Sequence, residues 1–263
     1  MHDQNPWYKE LEVASNIARE AGVIMRQYFD IDQEREWKDD GTPVTIADTA
    51  INRLVIERIV EAFPEDGVIG EEESNTEYGM GRKWFCDPID GTKAYTWGVA
   101  TAMFSLGLVV DGVPVVGVVY NPFIDMLYSA SKDGGAYAND RQIHVTEVHL
   151  KEGTVAVTSN LEKLRSDNTF LHNLVAKGIR TASFSGAVCK CVLVASGRFA
   201  GYVEDMVGTY DIAASQVIVE EAGGRITDLQ GEPLSYLQPF RGAIVSNGLV
   251  HEELVGMVGE KSA

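Results

Sequence analysis

Apolar residues recur at helical spacing over residues 6–29, at Leu11, Ala14, Ile17, Ala18, Ala21, Ile24, Met25 and Phe29, and predict a long amphipathic helix. The stretch KDDGTPVTIADTA, from Lys38, reads as a loop or hairpin turning into a second helix. Thr45 or Asp48 lies near its start, Ile51, Leu54, Val55, Ile59 and Val60 form its buried stripe, and Pro64 ends it. The pattern then shortens. GVIGEEE gives a brief strand running into three acids, and WFCDPID gives an apolar run closing on two more. FSLGLVV, PVVGVVY, MLYSAS and GAYA follow as strands separated by DG, NP and DG turn signals. They predict a sheet made mostly of antiparallel hairpins, covered by the two early helices.

From about residue 151 strands and helices alternate. TVAVTS, IRTASF, RFAGYVE, RITDL and GAIVSN read as strands, and LEKLRSDNTFLHNLVAKG, SGAVCKCVLVASG, TYDIAASQVIVEEAGG and HEELVGMV as helices. The change of pattern divides the chain into an N-terminal α+β half, residues 1–150, and a C-terminal α/β half, residues 151–263. There is no internal repeat, low-complexity tract or Pro/Ser linker, so the halves are expected to share an interface rather than a flexible hinge.

Composition narrows the function classes. The 263 residues are 45% hydrophobic, enough for a sizeable core in one large domain or two packed smaller ones. Twenty-two basic against 39 acidic residues leave a formal net charge of -17, which repels nucleic-acid backbones and anionic membranes. The same field disfavours an anionic substrate unless a local cation reverses it. Three cysteines, Cys86, Cys189 and Cys191, form no CxxC pair and suggest reduced thiols. The N-terminus is polar and acidic, unlike a secretory or transit peptide, and the apolar runs are too short to span a bilayer. A soluble cytoplasmic protein is expected.

The candidate chemistry lies in the acids. Asp48 in PVTIAD, Glu71 in GEEE, Asp87 and Asp90 in DPIDGT, and Asp211 in GTYDIAA each sit where regular structure begins or ends, where functional groups gather on a rigid scaffold. Two ionised carboxylates about 4 Å apart repel by roughly 4 kcal/mol at an effective dielectric near 20, so Asp87 and Asp90 need open water or a cation. Pro88 bars a helix from holding them on one face, but a turn can aim both at one point with the Ile89 carbonyl between them. Hard oxygen donors without nearby His or Cys favour Mg²⁺, Mn²⁺ or Ca²⁺ over zinc, and few carboxylates with room for water suit Mg²⁺. Each acid alone has a plain structural role: a turn residue, a solvated loop, or a partner of a helix N-terminus.

Together they form a recognisable pattern. DPIDGT after an apolar strand, GEE upstream, and a D-[IV]-A-A helix ending in EAGG resemble the inositol monophosphatase family, the wider group of Mg²⁺-dependent, lithium-sensitive phosphatases. K-x-x-G-x-P-V-T-x-x-D from Lys38 to Asp48 and GGAYAND at 134–140 also fit, so the resemblance spans nearly the whole chain. It implies a layered αβαβα sandwich with the active site between the halves, and a homodimer. By position it implies that Glu71, Asp87 and the Ile89 carbonyl hold a first Mg²⁺. Asp87, Asp90 and Asp211 would hold a second, with a third, weaker ion near Glu71. Thr92 and Asp48, helped by Glu71, would orient and deprotonate a water, and the Gly91 and Thr92 amides would bind phosphate.

The implied substrate is a small phosphorylated metabolite, hydrolysed as a phosphomonoester. Substrate contacts map to Asp90, Gly91 and Thr92, to Ser185, Gly186 and Ala187 at a small-residue helix start, and to Glu204, seven before Asp211. Three departures bear on specificity: Tyr210 where the family often has Trp, Lys93 after DGT, and Lys190 within Cys-Lys-Cys. Lys190 would either bind a second phosphate or snorkel from its helix. Inositol 1-phosphate or a similar sugar or polyol phosphate is therefore the first expectation. Histidinol phosphate or 3′-phosphoadenosine 5′-phosphate is the alternative. A regulatory Ca²⁺/Mg²⁺-binding protein with an idle site is the alternative from another class, although every expected catalytic position is filled.

Overall fold

The structure is a computed structural model that describes residues 5–29, 36–37, 43–158 and 169–259. Lys38 and the first part of the helix expected over 161–178 lie outside them. Helix α1 (Tyr8–Gln27) buries Ala14, Ile17, Ala18, Ala21 and Met25 along one stripe, the i, i+3, i+4 spacing of an amphipathic helix. A two-stranded ribbon, β1 (Glu36–Trp37) with β2 (Pro43–Val44), leads into α2 (Ile46–Ala62). Thr45 is the cap: its amide and hydroxyl donate to Asp48 Oδ2 at 2.8 and 2.6 Å, and the Asp48 amide donates to Thr45 Oγ1 at 3.4 Å. The stripe runs through Ile51, Val55 and Ile59, whereas Val60 is exposed, contrary to the pattern-based expectation. It lies about 100° around the helix from Ile59. Asn52 is buried instead and donates to the Glu73 carbonyl at 2.8 Å, tying the acidic loop to α2.

The first sheet has seven strands in sequential order: β3 (Gly67–Gly70), β4 (Arg82–Asp90), β5 (Met103–Val110), β6 (Val113–Asn121), β7 (Met126–Ser131), β8 (Gly135–Ala138) and β9 (Arg141–Gln142). All neighbours are antiparallel except β3 and β4. A short helix, α3 (Thr92–Thr96), leaves the end of β4. The second sheet is built from β10 (Thr154–Val157), β11 (Arg180–Ser183), β12 (Gly201–Glu204), β13 (Arg225–Thr227) and β14 (Ala243–Ser246), in the order β11-β10-β12-β14-β13. Its connecting helices are α4 (Thr169–Ala176), α5 (Ala187–Ala195), α6 (Thr209–Glu221) and α7 (His251–Gly259).

The layers follow from which faces are apolar. Helices α1 and α2 cover one face of the first sheet around Trp84 and Phe104. Helices α5 and α6 fill the space between the sheets with Val188, Val192, Ile212 and Ile218. Helices α4 and α7 close the outer face of the second sheet around Leu174 and Leu254. The result is the expected αβαβα sandwich. Helix α6 lies so close to the first sheet that a Cβ on Gly107 would meet the Ala214 amide nitrogen at 2.6 Å, and one on Gly117 the Ala214 carbonyl oxygen at 2.2 Å. Only glycine fits there. Among the described residues no helix is long and apolar enough to cross a membrane, and Cys86, Cys189 and Cys191 are free and buried.

Candidate active site

In a regular strand, residues three apart point to opposite faces. Asp87 pairs with Ser105, but Asp90 pairs with Met103, so β4 carries one extra residue between them. This bulge re-aims the chain and brings both carboxylates to one side. The Ile89 amide donates to Asp87 Oδ1 at 3.1 Å, and the Ile89 carbonyl accepts from the Thr92 hydroxyl at 3.1 Å. Gly91 then turns the chain into α3 with φ of 82°, in the left-handed region.

Two further elements complete the cluster. Asp211, in the first turn of α6, accepts from the Gly208 amide at 2.6 Å. Carboxylate oxygens of Asp87, Asp90 and Asp211 all lie within 4.8 Å of one another. Asp90 also faces the start of α5: its Oδ1 accepts from the Ala187 amide at 2.8 Å, and its Oδ2 from Val188 at 2.9 Å and Cys189 at 3.4 Å. A charged carboxylate there is favoured by the helix dipole.

The acids lie in a cavity of about 540 Å³. Of the sequence-predicted residues it gathers Glu71, Asp87, Ile89, Asp90, Gly91, Thr92, Lys93 and Asp211 together with Ser185, Gly186, Ala187, Lys190 and Glu204. Glu71 lines it without joining the 4.8 Å cluster. Lys93 is exposed at its rim, whereas Lys190 is 2% exposed. Asp48 and Tyr210 are not among its lining residues. Asp48 is fully buried at the cap of α2, and its Oδ1 has no hydrogen-bond partner among the described residues.

Residues that pattern alone did not single out also line the cavity: Trp97, Thr158, Phe184 and Tyr202. Only Tyr202 carried a signal, because it sits two before Glu204 and so shares its face of a strand.

Burial governs the electrostatics. It pushes the Asp87 carboxyl well above the usual range, and the charges of Glu71, Asp90 and Asp211 add to the effect. Asp90 is raised to about 6 by burial, against the opposing pull of the α5 amides and Lys190. Asp211 is raised to about 8 by burial and the Asp90 charge, and Asp48 to about 7 by burial, opposed by its bonds to Thr45. Carboxylates packed this way resist ionising together unless a cation joins them. The donors are oxygens only, three carboxylates with a fourth and a backbone carbonyl in the same cavity, which fits a hard divalent ion.

The comparisons agree with this geometry. Residues 7–262 match the model of the inositol monophosphatase family. A histidinol-phosphatase of Chlorobaculum parvum is 32% identical over 253 residues, 95% of this chain and 96% of that protein. An inositol-1-monophosphatase of Bacillus subtilis is 29% identical over 254 residues, 94% of this chain and 96% of that protein. Among solved structures, a Thermotoga maritima IMPase superposes with a TM-score of 0.86 at 28% identity, covering 95% of this chain and 96% of that one. The fold is thus that of a known class of phosphatases, and the chain is a member of the inositol monophosphatase family.

Proposed function

We propose that the chain is a Mg²⁺-dependent phosphomonoesterase for a small phosphorylated polyol, inositol 1-phosphate or a close analogue. One observation carries this: the carboxylates of Asp87, Asp90 and Asp211 converge within 4.8 Å in a cavity that also holds Glu71, Gly91, Thr92 and Glu204. Glu71, Asp87 and the Ile89 carbonyl would hold one cation and Asp87, Asp90 and Asp211 another, two or three ions in all. Bound Mg²⁺ supplies Lewis acidity that neutralises the acids, polarises phosphoryl oxygens and lowers the pKa of water.

The chain's own groups do the rest. Amides of Gly91 and Thr92 bind the phosphate, and Asp90 and the α5 start position it. The Thr92 hydroxyl, with Glu71, orients the attacking water. Its proton passes toward Asp48, behind the cavity lining, whose Oδ1 has no hydrogen-bond partner among the described residues and whose pKa of about 7 suits a proton acceptor near neutral pH. Ser185, Gly186, Ala187 and Glu204 face the alcohol that leaves. The same proposal makes the protein a cytoplasmic homodimer, as the family resemblance implies.

A second substrate class stands beside the first, because relatives that cover nearly the whole chain are named histidinol-phosphatases. Phosphate release with Mg²⁺ from inositol 1-phosphate, histidinol phosphate and 3′-phosphoadenosine 5′-phosphate tests both. Mg²⁺-dependent turnover of the first at the highest kcat/KM is expected. Absence of release from every ester would overturn the phosphatase assignment.

A further inference from the structure

On the cavity wall, Lys190 of α5 and Glu204 of β12 place Nζ 3.8 Å from Oε2. Both are buried, at 2% and 8% exposure. That separation is an ion pair but longer than a hydrogen bond. The Nζ lies 4.8 Å from the ring centroid of Tyr202 and 5.7 Å from that of Phe184, which keeps the ammonium over aromatic faces. Glu204 Oε1 and the Tyr202 hydroxyl have no hydrogen-bond partner among the described residues. Buried polar atoms left unpaired in this way call for an explanation, and here the residues that carry them line the cavity that holds the acid cluster.

We propose that Lys190 and Glu204 act as one specificity-determining pair, reading adjacent hydroxyls of a neutral polyol and rejecting a cationic leaving group. The proposal rests on the phosphatase assignment above. Nζ offers donors and the Glu204 carboxylate an acceptor side by side, which suits neighbouring hydroxyls that each donate and accept. The pair carries no net charge. A substrate ammonium drawn to Glu204 would sit beside Nζ and be repelled by it, whereas a lone Glu204 would attract it. A second phosphate on Nζ would in turn meet the Glu204 carboxylate 3.8 Å away. Lys190 thereby sets the substrate class as neutral polyhydroxy alcohols rather than amino alcohols or bisphosphates.

The test compares kcat/KM for inositol 1-phosphate, histidinol phosphate and fructose 1,6-bisphosphate, with Mg²⁺, in wild type and Lys190→Met. Lys190→Gln carries the same comparison should the methionine variant fail to fold. Wild type is expected to prefer inositol 1-phosphate. The variant should shift the ratio toward histidinol phosphate by roughly tenfold or more, the scale of a like-charge contact at an effective dielectric near 20. The bisphosphate should follow inositol 1-phosphate. A wild-type preference for histidinol phosphate, an unchanged ratio, or a selective loss of the bisphosphate would each overturn the pair's role while leaving the phosphatase assignment intact. No release from any ester by wild type would overturn both.

Discussion

Gly91 and Gly186 meet back to back: a Cβ on Gly91 would lie 3.2 Å from Gly186 Cα, and one on Gly186 3.1 Å from Asp90 Oδ2. Both have positive φ, 82° and 106°. The contact seats the start of α5 against the turn that follows Asp90. Gly91→Ala adds a methyl where neither the backbone conformation nor the neighbour accepts it, a cost of about 1–2 kcal/mol from the conformation alone. Thermal unfolding should show that loss, and phosphate release should fall with it as the α5 amides move off Asp90. A variant with wild-type melting and activity would remove this contact from the site.

Asp90→Asn keeps one acceptor oxygen for the α5 amides but removes the charge. The protein should stay folded, melting within about 5 °C of wild type, since 1–2 kcal/mol corresponds to a few degrees at this size. Mg²⁺-dependent phosphate release should drop beyond the roughly 100-fold that outer partners of a metal site cost. Substantial residual activity would sink the assignment of Asp90 as a ligand.

Asp90 and Asp211 titrate at about 6 and about 8 in the metal-free fold, above an unfolded carboxylate near 4. Raised values mean the fold retains protons that the unfolded chain has released, so the metal-free protein is stablest below about pH 4 and loses stability from there up to about pH 8. Mg²⁺ held by the ionised carboxylates would stabilise the fold, and this stabilisation should grow as pH rises toward 8. Melting curves with EDTA and with saturating Mg²⁺ should separate more at pH 8 than at pH 6. Equal separations at both would contradict a carboxylate cage.

His251 is fully buried, with Nδ1 2.8 Å from the Ser246 hydroxyl and Nε2 2.9 Å from that of Thr227. Burial lowers its pKa to about 4, so the fold holds it neutral. Its contribution is fully present above the unfolded value near 6.5 and is lost as pH falls toward 4. His251→Leu takes one partner from each hydroxyl, leaving Thr227 the Asp228 carbonyl and Ser246 the Gly248 amide, and should destabilise by about 1–3 kcal/mol at pH 7. Denaturant titrations should show the gap to wild type narrowing between pH 6.5 and 4; a constant gap would show that the ring is not held neutral.

Much of this was legible in the sequence, for identifiable reasons. The stripe of α1 and the hairpin strands follow directly from the spacing of apolar residues, and the acids stand in short, specific segments. Val60 was misplaced because a one-residue step around a helix separates core from solvent. The shared side of Asp87 and Asp90 was not readable from residue types, since it depends on how β4 registers against Ser105 and Met103. Lys190 was ambiguous because α5 faces both the core and the cavity. Phe184 carries no sequence mark of its place beneath Lys190, whereas Tyr202 shares the strand face of Glu204.

Gly107 and Gly117 fix α6 to the first sheet, so Asp211 hangs from the same framework as Asp87 although 124 positions apart in the chain. Tyr202 and Glu204 hang instead from β12 of the second sheet. The acid cluster and the Glu204 part of the proposed alcohol-facing wall are thus separately anchored. Drift at the wall can exchange one substrate for another while the spacing of the acids is inherited unchanged, which is how one scaffold can diversify without reinventing its chemistry.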